Sequence, residues 1–247
     1  KKFPVALAAI SGGNLRNAIA HEGEFVVGVP AADKHTLVAD LNKFIADVEF
    51  EFKGIEPNMT FEMASAEAPA TVIDAKTAKN LIYALYCAPH GVIAMNQNIE
   101  GLTETSTNLA SVKMKEDNTI VVTTSQRSLI ESSKIDICRQ VESVFVLAGA
   151  KATHGDGYPA WPANVDSEIL KISIKAYEEL YGITPAVKAI HAGLECALFR
   201  AKYENLDMVS FGPTLQDVHS PKERMHIPAV EKFWNHLVKI LEMVGKK

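Results

Sequence analysis

Two kinds of hydrophobic spacing alternate along this 247-residue chain, which limits it to folds that combine strands with helices. The clearest signal is a hairpin, because residues 107–114 and 119–125 are β-prone and flank the turn-forming residues 115–118. Two short apolar runs bounded by Gly or Pro also predict strands, and a weaker alternation predicts a third. These three runs are residues 5–10, 24–29 and 59–65.

Three segments of the same region have apolar residues at helical spacing. Asp33 can cap the first helix, and a second helix begins near Asp74. The third runs from about residue 132 to 148 and ends at Gly149, a typical C-terminal glycine. Residues 1–150 are therefore predicted to form a domain in which strands alternate with helices.

A Gly- and Pro-rich stretch at residues 151–164 interrupts the pattern and predicts a domain boundary between residues 150 and 151. Residues 151–247 then alternate helices with apolar strands at 187–190 and 207–210, which is typical of a parallel-type α/β sheet. Two strands do not make a stable open sheet, so we expect a partial α/β domain whose remainder lies elsewhere.

Composition excludes several classes of function. The net charge of −5 leaves no basic stripe for nucleic acid, and the longest apolar runs are too short to span a bilayer. No leader pattern is present at Lys1, and three widely spaced cysteines form no CxxC pair. We therefore expect a cytoplasmic protein in which Cys87, Cys138 and Cys196 are free thiols.

Two segments after predicted strands can carry chemistry. His219 lies in a loop that follows a strand and precedes the last helix, where a neutral imidazole suits zinc, although a single loop His is more often not a ligand. Gly193 lies in the segment His191-Ala-Gly-Leu-Glu-Cys196 and permits close approach of a ligand to the backbone. An ordinary strand-to-helix turn explains that segment equally well.

Two further residues can bind a carboxylate. Arg127 follows the hairpin's second strand and can grip a carboxylate through two parallel N–H bonds, and Asn17 can add a donor. Each is also compatible with an ordinary surface or turn position. His154-Gly-Asp156 has the His-x-Asp spacing of metallohydrolases, but its Gly-rich context does not fix ligand positions.

The chain resembles the aminoacylhistidine (Xaa-His) dipeptidases, the carnosinase-like branch of the co-catalytic zinc metallopeptidases, and specifically their C-terminal half. The matching motifs run through nearly the whole chain. They are Gly12-Gly-Asn-Leu-Arg-Asn-Ala-Ile19, Glu104-Thr-Ser-Thr-Asn108, Arg127-Ser-Leu129, Leu147-Ala-Gly-Ala150, Tyr158-Pro-Ala-Trp161, His191-Ala-Gly-Leu-Glu-Cys196, Asp207-Met-Val-Ser-Phe-Gly-Pro-Thr214 and His219-Ser-Pro221.

This resemblance implies an α+β lid and dimerisation domain at residues 1–150, incomplete at its N-terminus, and the C-terminal part of an α/β zinc-peptidase catalytic domain at residues 151–247. It implies that His219 is a zinc ligand and that Asn17 and Arg127 hold the substrate's C-terminal carboxylate. Gly193 matches a backbone position that contacts the substrate. The expected assembly is a homodimer that binds dipeptides and two zinc ions, which cobalt or manganese can replace, with no nucleic-acid or membrane partner.

The resemblance also implies what this chain lacks. The family's N-terminal half supplies the general base, most metal ligands and a lid His, so no catalytic residue is expected here and the chain alone should be inactive. The implied activity is hydrolysis of Xaa-His and related dipeptides by a water activated between two metals. Two alternatives remain: a non-catalytic, lid-like dimerisation or ligand-binding module, and a related zinc hydrolase of acylamino acids or tripeptides.

Overall fold

The computed structural model of the chain describes residues 3–97, 99–155, 157–161, 164, 166–188, 194–218 and 222–246. Its strands are β1 (Ala6–Gly13), β2 (Gly23–Gly28), β3 (Gly91–Met95), β4 (Thr103–Met114), β5 (Ile120–Ser128), β6 (Leu215–Gln216) and β7 (Arg224–Met225). Its α-helices are α1 (Lys34–Phe52), α2 (Ala75–Cys87), α3 (Glu131–Leu147), α4 (Glu168–Tyr181), α5 (Glu195–Lys202) and α6 (Ile227–Val244).

The main sheet has the strand order β2-β1-β4-β3, and β5 pairs with β4. β1 is antiparallel to β2, from Ala6 opposite Gly28 to Gly12 opposite Gly23. It is also antiparallel to β4, with Ser11 opposite Lys113 and Gly13 opposite Ser111. The predicted hairpin is confirmed as β4–β5 and is longer than expected. Its turn is closed by hydrogen bonds from Lys115 N to Thr119 O and from Asn118 N to Lys115 O.

The described chain forms two compact units that do not follow chain order. One comprises Lys1–Gly91, Thr107–Ser125 and Cys138–Thr153, and the other comprises Val92–Ser106, Gln126–Ile137 and His154–Lys247. The predicted functional boundary between residues 150 and 151 stays a prediction.

In the first unit, α2 covers the sheet. Leu7 of β1 packs with Ala78 and Leu81 of α2, and partly buried apolar residues surround this cluster. The predicted start of α2 is confirmed, because the Asp74 carboxylate accepts hydrogen bonds from the backbone N–H groups of Lys76 and Thr77. This cap satisfies two of the donors that a helix leaves without partners.

Two expectations for the first unit differ from the structure. Asp33 precedes α1 as predicted, but its side chain makes no capping hydrogen bond, since a 3₁₀ turn at Ala31–Asp33 leads directly into the helix. Residues 59–65 form no strand. Their weak alternation lacks a neighbouring strand among the described residues, and a strand requires ladder hydrogen bonds to a partner.

In the second unit, α4 and α6 pack side by side around a polar centre. His236 of α6 is buried, and its Nε2 lies 2.8 Å from the carbonyl oxygen of Ser173 on α4, to which it donates. The Tyr177 ring meets the imidazole edge-on at 5.2 Å. The helices predicted to alternate with strands in residues 151–247 are seen as α4, α5 and α6.

The strand pairs β1–β2, β1–β4 and β6–β7 are antiparallel, so the described chain is α+β. The predicted parallel-type sheet of residues 151–247 stays a prediction. Residues 207–210 form no strand. They have the apolar composition of a buried strand but no neighbouring strand among the described residues to complete a ladder. The predicted strand at 187–190 lies partly outside the described residues.

None of the described helices is long and apolar enough to cross a membrane.

Candidate functional site

The loop between β1 and β2 carries Asn17, which is exposed. Its ends are joined by a hydrogen bond of 3.0 Å from Gly13 N to Glu22 O. Gly13 has a φ of +63°, and a Cβ at this position would lie 1.9 Å from the carbonyl oxygen of Ala110 on β4. Only glycine fits both conditions, so the point where the chain leaves β1 is fixed by sequence.

Asn108 of β4 holds this loop on both sides of Asn17. Its Nδ2 donates to the carbonyl oxygens of Arg16 at 3.3 Å and of Ala18 at 2.7 Å. The Oδ1 of Asn108 is buried and has no hydrogen-bond partner. The two donated bonds hold the loop, whereas the unpaired buried oxygen is a cost to stability.

Arg127 lies near the end of β5 and is half-buried. The chain next to it is held to β4 by a bond of 3.0 Å from Leu129 N to Glu104 O and by contact of the Thr105 and Ser128 hydroxyl oxygens at 2.9 Å. Leu129 is buried. The backbone that carries the guanidinium is therefore anchored, as a residue that positions a carboxylate requires.

The segment 157–161, which contains the Tyr158-Pro-Ala-Trp161 motif, is tethered to the first turns of α3. The Glu131 carboxylate accepts hydrogen bonds from Lys134 Nζ at 2.8 Å and from Ala160 N at 3.1 Å, and Lys134 also donates to Tyr158 O. Partial burial raises the pKa of Glu131, but the bonds from Lys134 and Ala160 outweigh it and hold this pKa below its ordinary value. The motif thus has a structural role that its sequence did not reveal.

A cavity of about 270 Å³ lies beside this segment and is lined by Trp161, Asn164, Arg200, Glu204, Asn205, Leu206, Asp207 and Met208. The Asp207 carboxylate in this cavity already accepts hydrogen bonds from neighbouring groups. Hydrogen bonds from the Ser167 hydroxyl and the backbone of Ile169 at the start of α4 lower the pKa of Asp207. Asp207 is therefore a helix-capping group rather than a general base.

Two predicted site residues, His219 and Gly193, lie outside the described residues, as do His191 and Asp156. β6 precedes His219 in the chain and β7 follows it. The two strands are paired, with Leu215 opposite Met225 and Gln216 opposite Arg224. The described residues contain no group of three or more His, Cys, Asp and Glu side chains that could hold a metal ion. They do not fit a zinc ion on their own, and the predicted zinc site stays a prediction.

Asn17 belongs to the first compact unit and Arg127 to the second, and each is described within its own unit. Sequence reasoning did not single out Asn108 as a positioning residue. Its motif was noticed only through the resemblance, and nothing in the local pattern shows contact with a loop about ninety positions earlier.

Comparison with known proteins leads to dipeptidases. The chain is 33% identical over all its 247 residues to the cytosol non-specific dipeptidase of Escherichia coli (strain K12), of which it spans 51%. It also superposes with a TM-score of 0.86 on the crystal structure of aminoacylhistidine dipeptidase from Vibrio alginolyticus. The two sequences are 38% identical, and the matched region covers 98% of this chain and 49% of the chain in that crystal structure.

The chain is thus similar to these dipeptidases and spans about half of their length. The predicted resemblance to an aminoacylhistidine dipeptidase is confirmed at this level. No family model matches the chain.

Proposed function

We propose that this chain is the substrate-binding part of a zinc-dependent dipeptidase that hydrolyses Xaa-His and related dipeptides. The observation that carries the proposal is similarity to two dipeptidases over essentially the whole chain, in sequence and in structure. Because the chain spans half of either relative, the activity belongs to a larger assembly in which this chain takes part. The name of one relative, a cytosol dipeptidase, supports a cytoplasmic location.

In this proposal Arg127 binds the C-terminal carboxylate of the dipeptide through two parallel N–H bonds, and Asn17 donates a further bond. The anchored strand end behind Arg127 and the clamped loop around Asn17 restrict both groups before substrate arrives, which lowers the entropy lost on binding. The backbone at Gly193 contacts the substrate.

His219 is proposed as a zinc ligand, and bound zinc would polarise the peptide carbonyl and lower the pKa of a water. One imidazole does not hold a zinc site, which needs at least three protein ligands. The general base and the other ligands therefore come from the polypeptide that matches the other half of the relatives. The 247-residue chain alone is expected to hydrolyse nothing. Homodimerisation through residues 1–150 is part of the same proposal.

The test replaces the matched half of the Escherichia coli dipeptidase with this chain. With zinc supplied, we expect the chimaera to hydrolyse Ala-His while the 247-residue chain does not. Arg127→Ala should raise KM about tenfold or more and change kcat less, because a charge-assisted pair contributes about 1.5–3 kcal/mol to binding. Arg139→Ala removes an exposed arginine of α3 and serves as the matched control.

The other outcomes separate the alternatives. A folded chimaera that retains zinc and hydrolyses no peptide contradicts the proposal. Cleavage of acylamino acids or tripeptides in preference to dipeptides assigns the chain to a related hydrolase. Dipeptide binding by the 247-residue chain, with no hydrolysis by the chimaera, assigns it to the binding modules.

A further inference from the structure

Helix α6 is apolar on two faces. Its polar residues, Glu231, Lys232, Asn235, Lys239 and Glu242, span roughly 100° of the helix circumference at 3.6 residues per turn. The remainder is apolar apart from His236. A surface helix of a globular protein typically has one apolar stripe of about 100°, whereas the apolar arc of α6 is more than twice as wide.

One of the two apolar faces is packed against α4. His236 and Ile240 are buried, and His236 contacts Ser173 and the Tyr177 ring. At the edge of this face, Lys239 forms an ion pair of 2.8 Å with Glu179 of α4, and Lys232 lies over the Tyr181 ring at 4.8 Å. The position of α4 against α6 is thus fixed on this side.

The second face is exposed over the whole length of the helix. We call it the outer stripe; it comprises Ile227, Val230, Trp234, Val238, Leu241 and Val244. Ile227 is 82% exposed, Trp234 60% and Leu241 62%. A continuous row of large apolar side chains with a central Trp has the composition of a protein contact surface.

The charged residues that border the outer stripe indicate which kind of partner can cover it. Glu231 and Glu242 border it on the polar side, and the lysines of α6 lie farther round the helix, next to α4. Carboxylates at this edge repel anionic lipid headgroups and favour an apolar protein surface of neutral or basic charge. The dipeptidase relatives are about twice as long as this chain, so a polypeptide of similar size accompanies this fold in them.

We propose that the outer stripe is the surface through which this chain packs against the polypeptide that matches the other half of the dipeptidase relatives. This inference rests on the proposed function, since that function requires a second part. It adds the surface by which the two parts meet.

The experiment co-expresses the 247-residue chain with the unmatched part of the Escherichia coli dipeptidase and measures recovery of the pair on a tag carried by that part. We expect the two to co-purify. Leu241→Glu should reduce recovery about tenfold or more, because it removes a leucine from the contact and buries a carboxylate that has no partner there. Asn235→Glu adds the same charge to the polar face of α6 and should leave recovery unchanged. Circular dichroism of both variants verifies folding.

Failure of the wild-type chain to co-purify overturns the inference, as does equal recovery of the Leu241→Glu and Asn235→Glu variants. A dimer of the chain alone that Leu241→Glu dissociates assigns the stripe to a second copy instead, and binding to phosphatidylcholine vesicles assigns it to lipid. Hydrolysis of Ala-His by the pair is measured separately. Co-purification without hydrolysis contradicts the proposed function only, and hydrolysis unaffected by Leu241→Glu contradicts the inference only.

Discussion

The Asn108 side chain on β4 holds the loop that contains Asn17, although β4 is distant from this loop in sequence. Its two donated bonds reach the carbonyl oxygens of Arg16 and Ala18. Loops of this length have many conformations of similar energy, so two bonds that bracket one residue reduce the freedom of that residue in particular.

We expect Asn108→Ala to release this loop. The loss of two hydrogen bonds should lower the free energy of unfolding by about 1–2 kcal/mol, reduced somewhat because the unpaired Oδ1 leaves with them. Urea denaturation measures this change, and amide hydrogen exchange at residues 15–19 should become faster. Asn14→Ala alters an exposed asparagine of the same loop and should change neither. Equal effects of the two variants would show that Asn108 does not hold the loop.

The residues proposed to bind substrate were predicted from motifs, whereas the residues that hold them in place were not. Arg127 and Asn17 occupy the strand end and the loop that the sequence predicts. Asn108 was not predicted as a clamp, and Glu131 was not predicted as a tether for segment 157–161. Both act through contacts across the fold, and neither hydrophobic periodicity nor turn chemistry reports such contacts.

At the scale of elements, the two aspartates that precede α1 and α2 differ in what they do. Asp74 accepts two backbone hydrogen bonds, and Asp33 makes no capping bond. The Thr77 side chain and the backbone of Thr77 and Lys76 hold the pKa of Asp74 below its usual value of 3.8. Since this pKa is lower in the folded state, the carboxylate stabilises the fold above pH 3.8, and the stabilisation is lost as the pH falls through the folded-state pKa.

We therefore expect Asp74→Ala to lower the midpoint of thermal unfolding by a few degrees at pH 7, and Asp33→Ala to leave it nearly unchanged. The difference between Asp74→Ala and the wild type should narrow as the pH falls below 3.8. Calorimetry at pH 7, 5 and 3 measures this difference in the midpoint of thermal unfolding. A constant difference across this range would mean that the charge of Asp74 does not contribute to the cap.

Elements with strong local signals were predicted well, and elements that depend on a neighbour were not. The helices α2, α3, α4 and α6 and the β4–β5 hairpin have apolar spacing, turns or caps that operate within the element. Residues 207–210 have a strand-like composition but no partner strand in the described chain, and β3 was missed although it pairs with β4. A strand is a property of two segments, and a single segment does not specify it.

At the scale of the whole molecule, charge and exposed apolar surface act together on solubility. The net charge is −5 at pH 7 and the isoelectric point is about 5.9. The described chain exposes Trp234, Tyr86 and Leu147 among many large apolar side chains. Near pH 5.9, where the net charge is close to zero, charge repulsion does not oppose contact between such surfaces on different molecules.

We expect light scattering by the purified 247-residue chain to be greatest near pH 5.9 and to fall as the pH rises toward 8. Addition of salt at pH 8 should restore part of the scattering, because it screens the repulsion. A light-scattering series across this pH range, with and without salt, measures both effects. Scattering that is independent of pH would indicate that charge does not control self-association.

The glycine that begins the β1–β2 loop sets a rule for engineering this chain. A graft can change many side chains of residues 14–22, because most of them are exposed, but replacement of Asn17 removes a proposed substrate contact. It cannot change Gly13, since any larger residue would collide with the Ala110 carbonyl in the adjacent strand. New recognition loops can therefore be installed here, provided that each one starts from that same glycine and offers carbonyl oxygens to Asn108.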